Sequence, residues 1–159
     1  MKKLLLIIAI ALLGVNANAQ DGKFNFGASA GIPTGTTSTG YSFGLGLDVN
    51  YIFNSGEDFT YGIASGVQMF FGKTLLGTKI DNATFLPIAA VARYKATDKI
   101  SLGADIGYSI GIAPSANKGG FYYKPVVGYS IGDNMELNAF YSGVSVTGGA
   151  FSSFGVGVM

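Results

Sequence analysis

From residue 23 onward, large apolar side chains recur at every second position, and glycine, serine or a short polar residue fills the places between them. Residues 41–53 show it most clearly. Tyr41, Phe43, Leu45, Leu47, Val49, Tyr51 and Phe53 share one parity, and Ser42, Gly44, Gly46, Asp48 and Asn50 share the other. Successive side chains of a strand point to opposite faces, so a period of two means β-structure. The pattern returns over 23–32, 59–71, 100–112 and 121–131, and less cleanly over 84–95, 135–146 and 151–159, which makes eight strands. The links alternate in length. The first, third, fifth and seventh span 33–40, 72–83, 113–120 and 147–150, while 54–58, 96–99 and 132–134 are tight turns rich in Gly, Asn and Asp.

Alternation alone fits a soluble barrel with an apolar lumen or a membrane barrel with an apolar exterior. Volume separates them. Twelve glycines, Gly27, Gly44, Gly62 and Gly103 among them, share the polar parity, and the opposite parity carries most of the Phe, Tyr, Leu and Ile. An eight-stranded barrel is only just wide enough to be filled by side chains. Several strands' worth of large residues cannot fit inside it, whereas glycines, serines and a few long polar residues can. The large face therefore points outward, toward lipid. Spanning takes about 9–11 tilted residues per strand, and closure satisfies the backbone groups that lipid cannot. The expected fold is all-β, an eight-stranded antiparallel up-and-down transmembrane β-barrel. Short turns belong to the periplasmic side and longer loops to the outside.

The N-terminus reads as an export signal. Lys2 and Lys3 precede an unbroken apolar run from Leu4 to Leu13, and Ala17-Asn18-Ala19 has the small-x-small pattern of a cleavage site. The run is too short for a membrane-spanning helix, which needs about 20 apolar residues. Residues 1–19 are thus expected to be a cleaved signal peptide and 20–159 a single barrel domain. Losing Lys2 and Lys3 would take the formal charge from +1 to −1. With no Cys after the cleavage site, a lipidated N-terminus is excluded.

Composition removes most chemistry. The chain has no His and no Cys, so Ser-His-Asp triads, Cys-His pairs, thiolate metal sites and disulfides are all out of reach. A net charge of +1 gives no electrostatic case for nucleic acid. Gly44-Leu45-Gly46 and Gly155-Val156-Gly157 neither open a helix nor complete a dinucleotide fingerprint, and a crowded lumen explains them better. The sequon Asn82-Ala83-Thr84 is a chance match in a bacterial envelope protein. Thr34 to Gly40 reads as a solvated loop, and Leu75-Leu76 as a strand extended above the membrane, with a partner contact as the alternative.

By parity Lys23, Asp48, Arg93, Asp105, Lys124 and Glu136 all face the lumen, three positive and three negative. A charge in a narrow dry lumen is costly unless paired and hydrogen-bonded. The balance predicts a salt-bridge network plugging the barrel, with Arg93 as hub and Arg93 and Lys23 shared among Asp48, Asp105 and Glu136, Lys124 entering from the far end. No catalytic, cofactor-binding or metal-ligating residues are assigned, and no cofactor is expected. Tyr51, Phe53, Phe59, Tyr61 and Tyr94 are expected to form one interfacial belt and Tyr41, Phe71, Phe121 and Tyr123 the other.

The opening Phe24-Asn25-Phe26-Gly27-Ala28-Ser29-Ala30-Gly31, the central Phe85-Leu86-Pro87-Ile88-Ala89-Ala90-Val91-Ala92-Arg93-Tyr94, and Ser101-Leu102-Gly103 with Gly107-Tyr108 resemble the small outer-membrane β-barrel proteins common in Bacteroidetes, the PorT-like group, and more loosely the OmpA/OmpX type. The chain departs from that pattern in the closed spacing of Leu86-Pro87, and in ending at Met159 where such barrels usually end in Phe or Tyr. The export signal and barrel together give the expected place, the bacterial outer membrane, and the expected state, a monomer whose partners are outer-membrane lipid, the barrel-assembly machinery during biogenesis and an unknown partner at the outer loops. The expected role is non-enzymatic: structural, or mediated by the outer loops. The alternatives are a membrane-embedded lipid-modifying enzyme, a narrow pore and a secreted soluble ligand-binding barrel.

Overall fold

The computed structural model describes residues 22–53, 58–132 and 135–159. The expected cleavage site after Ala19 and most of the turns at 54–58 and 132–134 lie outside the described residues. The chain runs as β1 (Gly22–Thr34), a single helical turn α1 (Thr37–Gly40), β2 (Tyr41–Phe53), β3 (Phe59–Gly72), a small hairpin β4 (Thr74–Leu75) and β5 (Thr78–Lys79), then β6 (Ala83–Lys95), β7 (Ile100–Ala113), β8 (Gly120–Ser130), β9 (Glu136–Val146) and β10 (Gly149–Val158). Eight long strands close into a barrel in the order β1-β10-β9-β8-β7-β6-β3-β2. Every pairing is antiparallel between chain neighbours, and β1 with β10 completes the ring through Ala28↔Val158 to Thr34↔Ser152. This is the up-and-down barrel that the alternation implies.

The two ends differ. Both ends of the barrel chain, Gly22 and Met159, and the short links lie at one, called here the terminal end; α1, the β4–β5 hairpin and the longer links lie at the other, the loop end. The β9–β10 connection is only a two-residue turn, Thr147-Gly148, with Gly148 at φ 89°.

Two prolines sit inside barrel strands, and the ladders accommodate them. Pro87 falls where the β3–β6 register skips from Ser65↔Ile88 to Gln68↔Phe85, and Pro125 where β8–β9 skips from Tyr123↔Gly143 to Val126↔Phe140. A proline donates no hydrogen bond, so each lies beside a break in one of its two ladders. The neighbours on the other side, Pro87↔Ser109 and Ala104↔Pro125, stay in register.

The outward parity is apolar over the whole circumference. Ile32, Leu47, Ile63, Ile106, Phe154 and Val156 are all more than half exposed. Aromatic rings cluster near the ends of this surface. At the terminal end Phe24 packs on Tyr51 at 4.7 Å, Tyr51 on Phe53 at 5.2 Å and Phe53 on Tyr61 at 5.5 Å, while Phe59 pairs with Tyr94 across strands. Toward the loop end Phe43 stacks on Phe71 at 4.4 Å, and Tyr123 lies between Phe121 and Tyr141.

Tyr41 departs from the expected belt. The β2–β3 register shifts between Tyr41 and Phe43, and the extra residue turns the Tyr41 ring into the barrel, where it meets Phe70 and Phe151. A bulge inserts one residue into the alternation and so reverses the parity beyond it.

Candidate functional site

The lumen is the candidate site, since it is where the wall brings its polar residues together. It is layered. At the terminal end a vestibule of about 330 Å³ is lined by Lys23, Asn50, Arg93, Ser101, Glu136 and Met159, among others. Glu136 accepts a hydrogen bond from Ser101 Oγ at 2.8 Å, and Asn50 Nδ2 donates to Met159 Sδ at 3.1 Å. Both Ser101 and Glu136 crowd the place where a Cβ on Gly128 would sit. A side chain at 128 would push both of them aside.

Above the vestibule lie two ion pairs. Arg93 Nη1 stands 2.7 Å from Asp105 Oδ1, and Lys124 Nζ stands 3.0 Å from Asp48 Oδ1. Asp48 also accepts from Ser29 Oγ at 2.9 Å, and the Lys124 ammonium lies 4.5 Å over the Phe140 ring. The Arg93 contact is mainly Coulombic: its Nη1–H is donated to the Ala92 carbonyl at 3.0 Å, and no donor is aligned on Asp105 Oδ1. Gly103, paired with Arg93 across strands, lets the side chain lie flat along the wall, because a Cβ there would meet Arg93 Cδ.

These distances revise the expected network. Arg93 is not a hub shared among Asp48, Asp105 and Glu136; among the described residues its one ion pair is with Asp105, and Asp48 belongs to Lys124. Lys23 is exposed at the vestibule mouth, and Glu136 beside it is held by a serine rather than by a cation. The six residues therefore form two central pairs and a rim. The reason is position across the ring. β2 and β8 stand opposite one another, so the long Lys124 side chain reaches Asp48 directly, while Lys23 starts too near the open end to be desolvated.

A third layer is uncharged. Gln68 Nε2 donates to Tyr122 Oη at 3.4 Å, and the Ser142 and Ser153 hydroxyls are 2.9 Å apart. The loop end above it is apolar. Phe70, Phe85, Tyr122 and Val144 form a buried cluster with Tyr41 and Phe151 packed against it, and Phe85 meets Phe70 at 6.0 Å and Phe151 at 4.9 Å. Filling of this end by aromatic rings is absent from the parity argument. Its signal is the breaking of alternation by three large residues in a row, Met69-Phe70-Phe71 and Phe121-Tyr122-Tyr123, where one of each three has to face inward.

α1 lies over this plug. Thr37 is buried, not solvated as the composition of residues 34–40 suggests: its Oγ1 donates to the Ala150 carbonyl at 2.9 Å and accepts from the Ser152 amide at 2.9 Å. Thr34 adds a hydroxyl contact to Ser152 at 3.0 Å, and Lys73 Nζ donates to the Ser38 carbonyl at 2.7 Å. These contacts tie the turn between β1 and β2 to the neighbouring β10 and to the end of β3, and so close this side of the loop end. Among the described residues no group of His, Cys, Asp and Glu is placed to hold a metal ion.

No family model matches the chain, and no curated protein does. Solved structures do. The Yersinia pestis outer membrane protein Ail, determined in a phospholipid bilayer nanodisc, superposes with a TM-score of 0.55 at 15% identity, over 86% of this chain and 97% of that one. A structure from the de novo design of transmembrane β-barrels is also similar, with a TM-score of 0.48 at 10% identity, over 83% of this chain and 92% of that one. At such identities the likeness to Ail is one of architecture, and it agrees with the strand order: the chain has the closed, eight-stranded, antiparallel up-and-down fold of an Ail-type barrel.

Proposed function

We propose that this chain is an integral barrel of a bacterial outer membrane, exported by a segment removed after Ala19, whose role is structural or loop-mediated rather than catalytic or conducting. The division of its wall carries the reading. Leu47, Ile63, Ile106 and Val156 are 61%, 56%, 54% and 61% exposed on the outside, while Asp48, Asp105 and Lys124 are turned in. A continuous apolar surface of this kind is a liability in water and a requirement in lipid. Aromatic rings near both ends fit the two interfaces, where amphipathic rings are favoured.

The plugged lumen supports the second half of the proposal. An ion pair across the middle, a second along the wall and an aromatic plug at the loop end stand against steady ion flow, and Asp48 and Asp105 are committed to cations. Within this reading the PorT-like group of small Bacteroidetes barrels is the family it points to. Surrounding lipid and the assembly machinery are its partners, and it works as a monomer.

Envelope fractionation with gel mobility tests it. The protein is expected in the outer-membrane fraction, running faster unheated than boiled, as a folded barrel does. Recovery in the soluble periplasm would overturn the membrane reading. In planar bilayers the purified barrel is expected to give no steady conductance; stable open channels would overturn the plugged lumen.

A further inference from the structure

The β4–β5 hairpin carries two leucines that folding does not explain. Leu75 is half exposed, and Leu76 is fully exposed. Leu76 and Gly77 form a two-residue turn with φ of 50° and 80°. Two positive φ values in such a turn are the I′ pattern, which favours Asn-Gly because asparagine tolerates the left-handed region and leucine does not. Leu76 thus occupies a position that its backbone preference disfavours, and it recovers no burial in return.

The hairpin is firmly mounted. Lys73 N donates to the Gly40 carbonyl at 2.8 Å, Ile80 N to the Lys73 carbonyl at 2.9 Å, and Gly72 N to Asn82 Oδ1 at 3.1 Å. The tip is presented on a rigid base rather than on a floppy loop, which lowers the ordering cost of any contact it makes. The loop-end links carry Lys73, Lys79, Lys118 and Asp81 and no other charge, so this end of the barrel is net positive.

We propose that the Leu75–Leu76 tip, with Lys79 beside it, is an interfacial foot that rests in the phosphate-bearing headgroup layer of the leaflet around the barrel. The inference builds on the membrane reading above. Apolar side chains next to a cation match an anionic lipid interface. A protein partner fits less well, since stable protein interfaces bury on the order of 1,000 Å² or more and this tip offers two side chains. A barrel embedded in the membrane tethers the hairpin close to the lipid surface, so a small contact suffices.

Because the chain has no cysteine, Thr78→Cys can carry a single environment-sensitive fluorophore beside the tip. The labelled barrel is folded into vesicles of phosphatidylcholine, and of phosphatidylcholine mixed with phosphatidylglycerol. In the mixed vesicles its emission is expected to shift to the blue and iodide quenching to fall several-fold, while a label at Ser115→Cys stays water-like. Adding Leu75→Ser and Leu76→Ser should return the Thr78 label to the behaviour of the Ser115 label, and Lys79→Glu should remove the dependence on phosphatidylglycerol. Heat-modifiable mobility is read on each sample. A chain that never inserts counts against the membrane reading. An inserted barrel whose label stays water-exposed, is buried equally in both vesicle types, or ignores the serine substitutions overturns the foot alone.

Discussion

Lys124 Nζ lies 3.0 Å from Asp48 Oδ1, although the residues stand 76 positions apart on strands that face each other across the barrel. The direct cross-strand neighbour of Lys124 is Asp105, whose carboxylate goes instead to Arg93 at 2.7 Å. Each carboxylate therefore has its own cation. One pair ties β2 to β8 through the lumen, and the other ties β6 to β7 along the wall.

Breaking the transverse pair on one side should cost far more than removing it whole. Lys124→Met leaves the Asp48 carboxylate buried without its cation, at about 3–5 kcal/mol, whereas Lys124→Met combined with Asp48→Leu should recover most of that loss. Urea unfolding of the vesicle-embedded barrel, followed by gel mobility, measures both. Additive losses in the double variant would mean that the two side chains do not interact.

The outward face predicts a positional pattern. Arginine at Leu47 or Ile106 should destabilise by about 2–4 kcal/mol, because both sit near strand centres and must place a charge at mid-bilayer depth. Ser115→Arg, in an exposed link at the loop end, should be nearly neutral. Gly40 is a poorer control than its loop position suggests, since a Cβ there would already meet Ile80 Cδ1 at 3.3 Å. Equal tolerance at residues 47, 106 and 115 would reverse the inside-outside assignment.

Truncating the plug tests its packing. Phe85 is completely buried inside the barrel, and Phe154 is 56% exposed on the outside. Phe85→Ala should cost about 3–5 kcal/mol through lost contacts and a cavity, and Phe154→Ala clearly less. The same unfolding midpoints decide it, and a larger loss at Phe154 would contradict an aromatic core.

Thr37→Val removes one acceptor and one donor at the seal. The expected loss is about 1–3 kcal/mol, mainly from leaving the Ser152 amide unpaired. Hydrogen exchange is the sharper readout: the Ser152 amide should exchange faster in the variant while amides at the terminal end keep their rates. Unchanged exchange at Ser152 would show that α1 does not hold the loop end.

Export makes its own prediction. Mass spectrometry of the envelope protein should find an N-terminus at Gln20, and an intact Met1 would end the case for a cleaved signal.

The strands were legible because alternation is a local property, set by where each Cβ points along an extended backbone. It held at Phe43, Leu45 and Leu47, which face out, and at Gly44 and Asp48, which face in. It blurred over residues 84–95 for a physical reason that appears only in three dimensions. There the lumen side carries Phe85, Pro87, Ala89 and Val91, so both faces of β6 are apolar near the plug. Tyr41 went astray because a bulge adds one residue to the count, and no composition marks it.

The sequence by itself determined that the chain forms eight strands, which parity meets the outside, and which charged residues turn inward, since all three follow from spacing and side-chain volume. Tertiary structure decided which charge meets which. Ring closure sets β2 opposite β8 and so gives Asp48 to Lys124, which leaves Lys23, at the start of β1, in the open vestibule. It also folded Thr37 onto Ala150 and Ser152, more than a hundred residues away, and gathered Phe70, Phe85 and Phe151 from three strands into one plug. Contacts across a closed sheet depend on register and on which walls face each other, and a one-dimensional pattern carries neither.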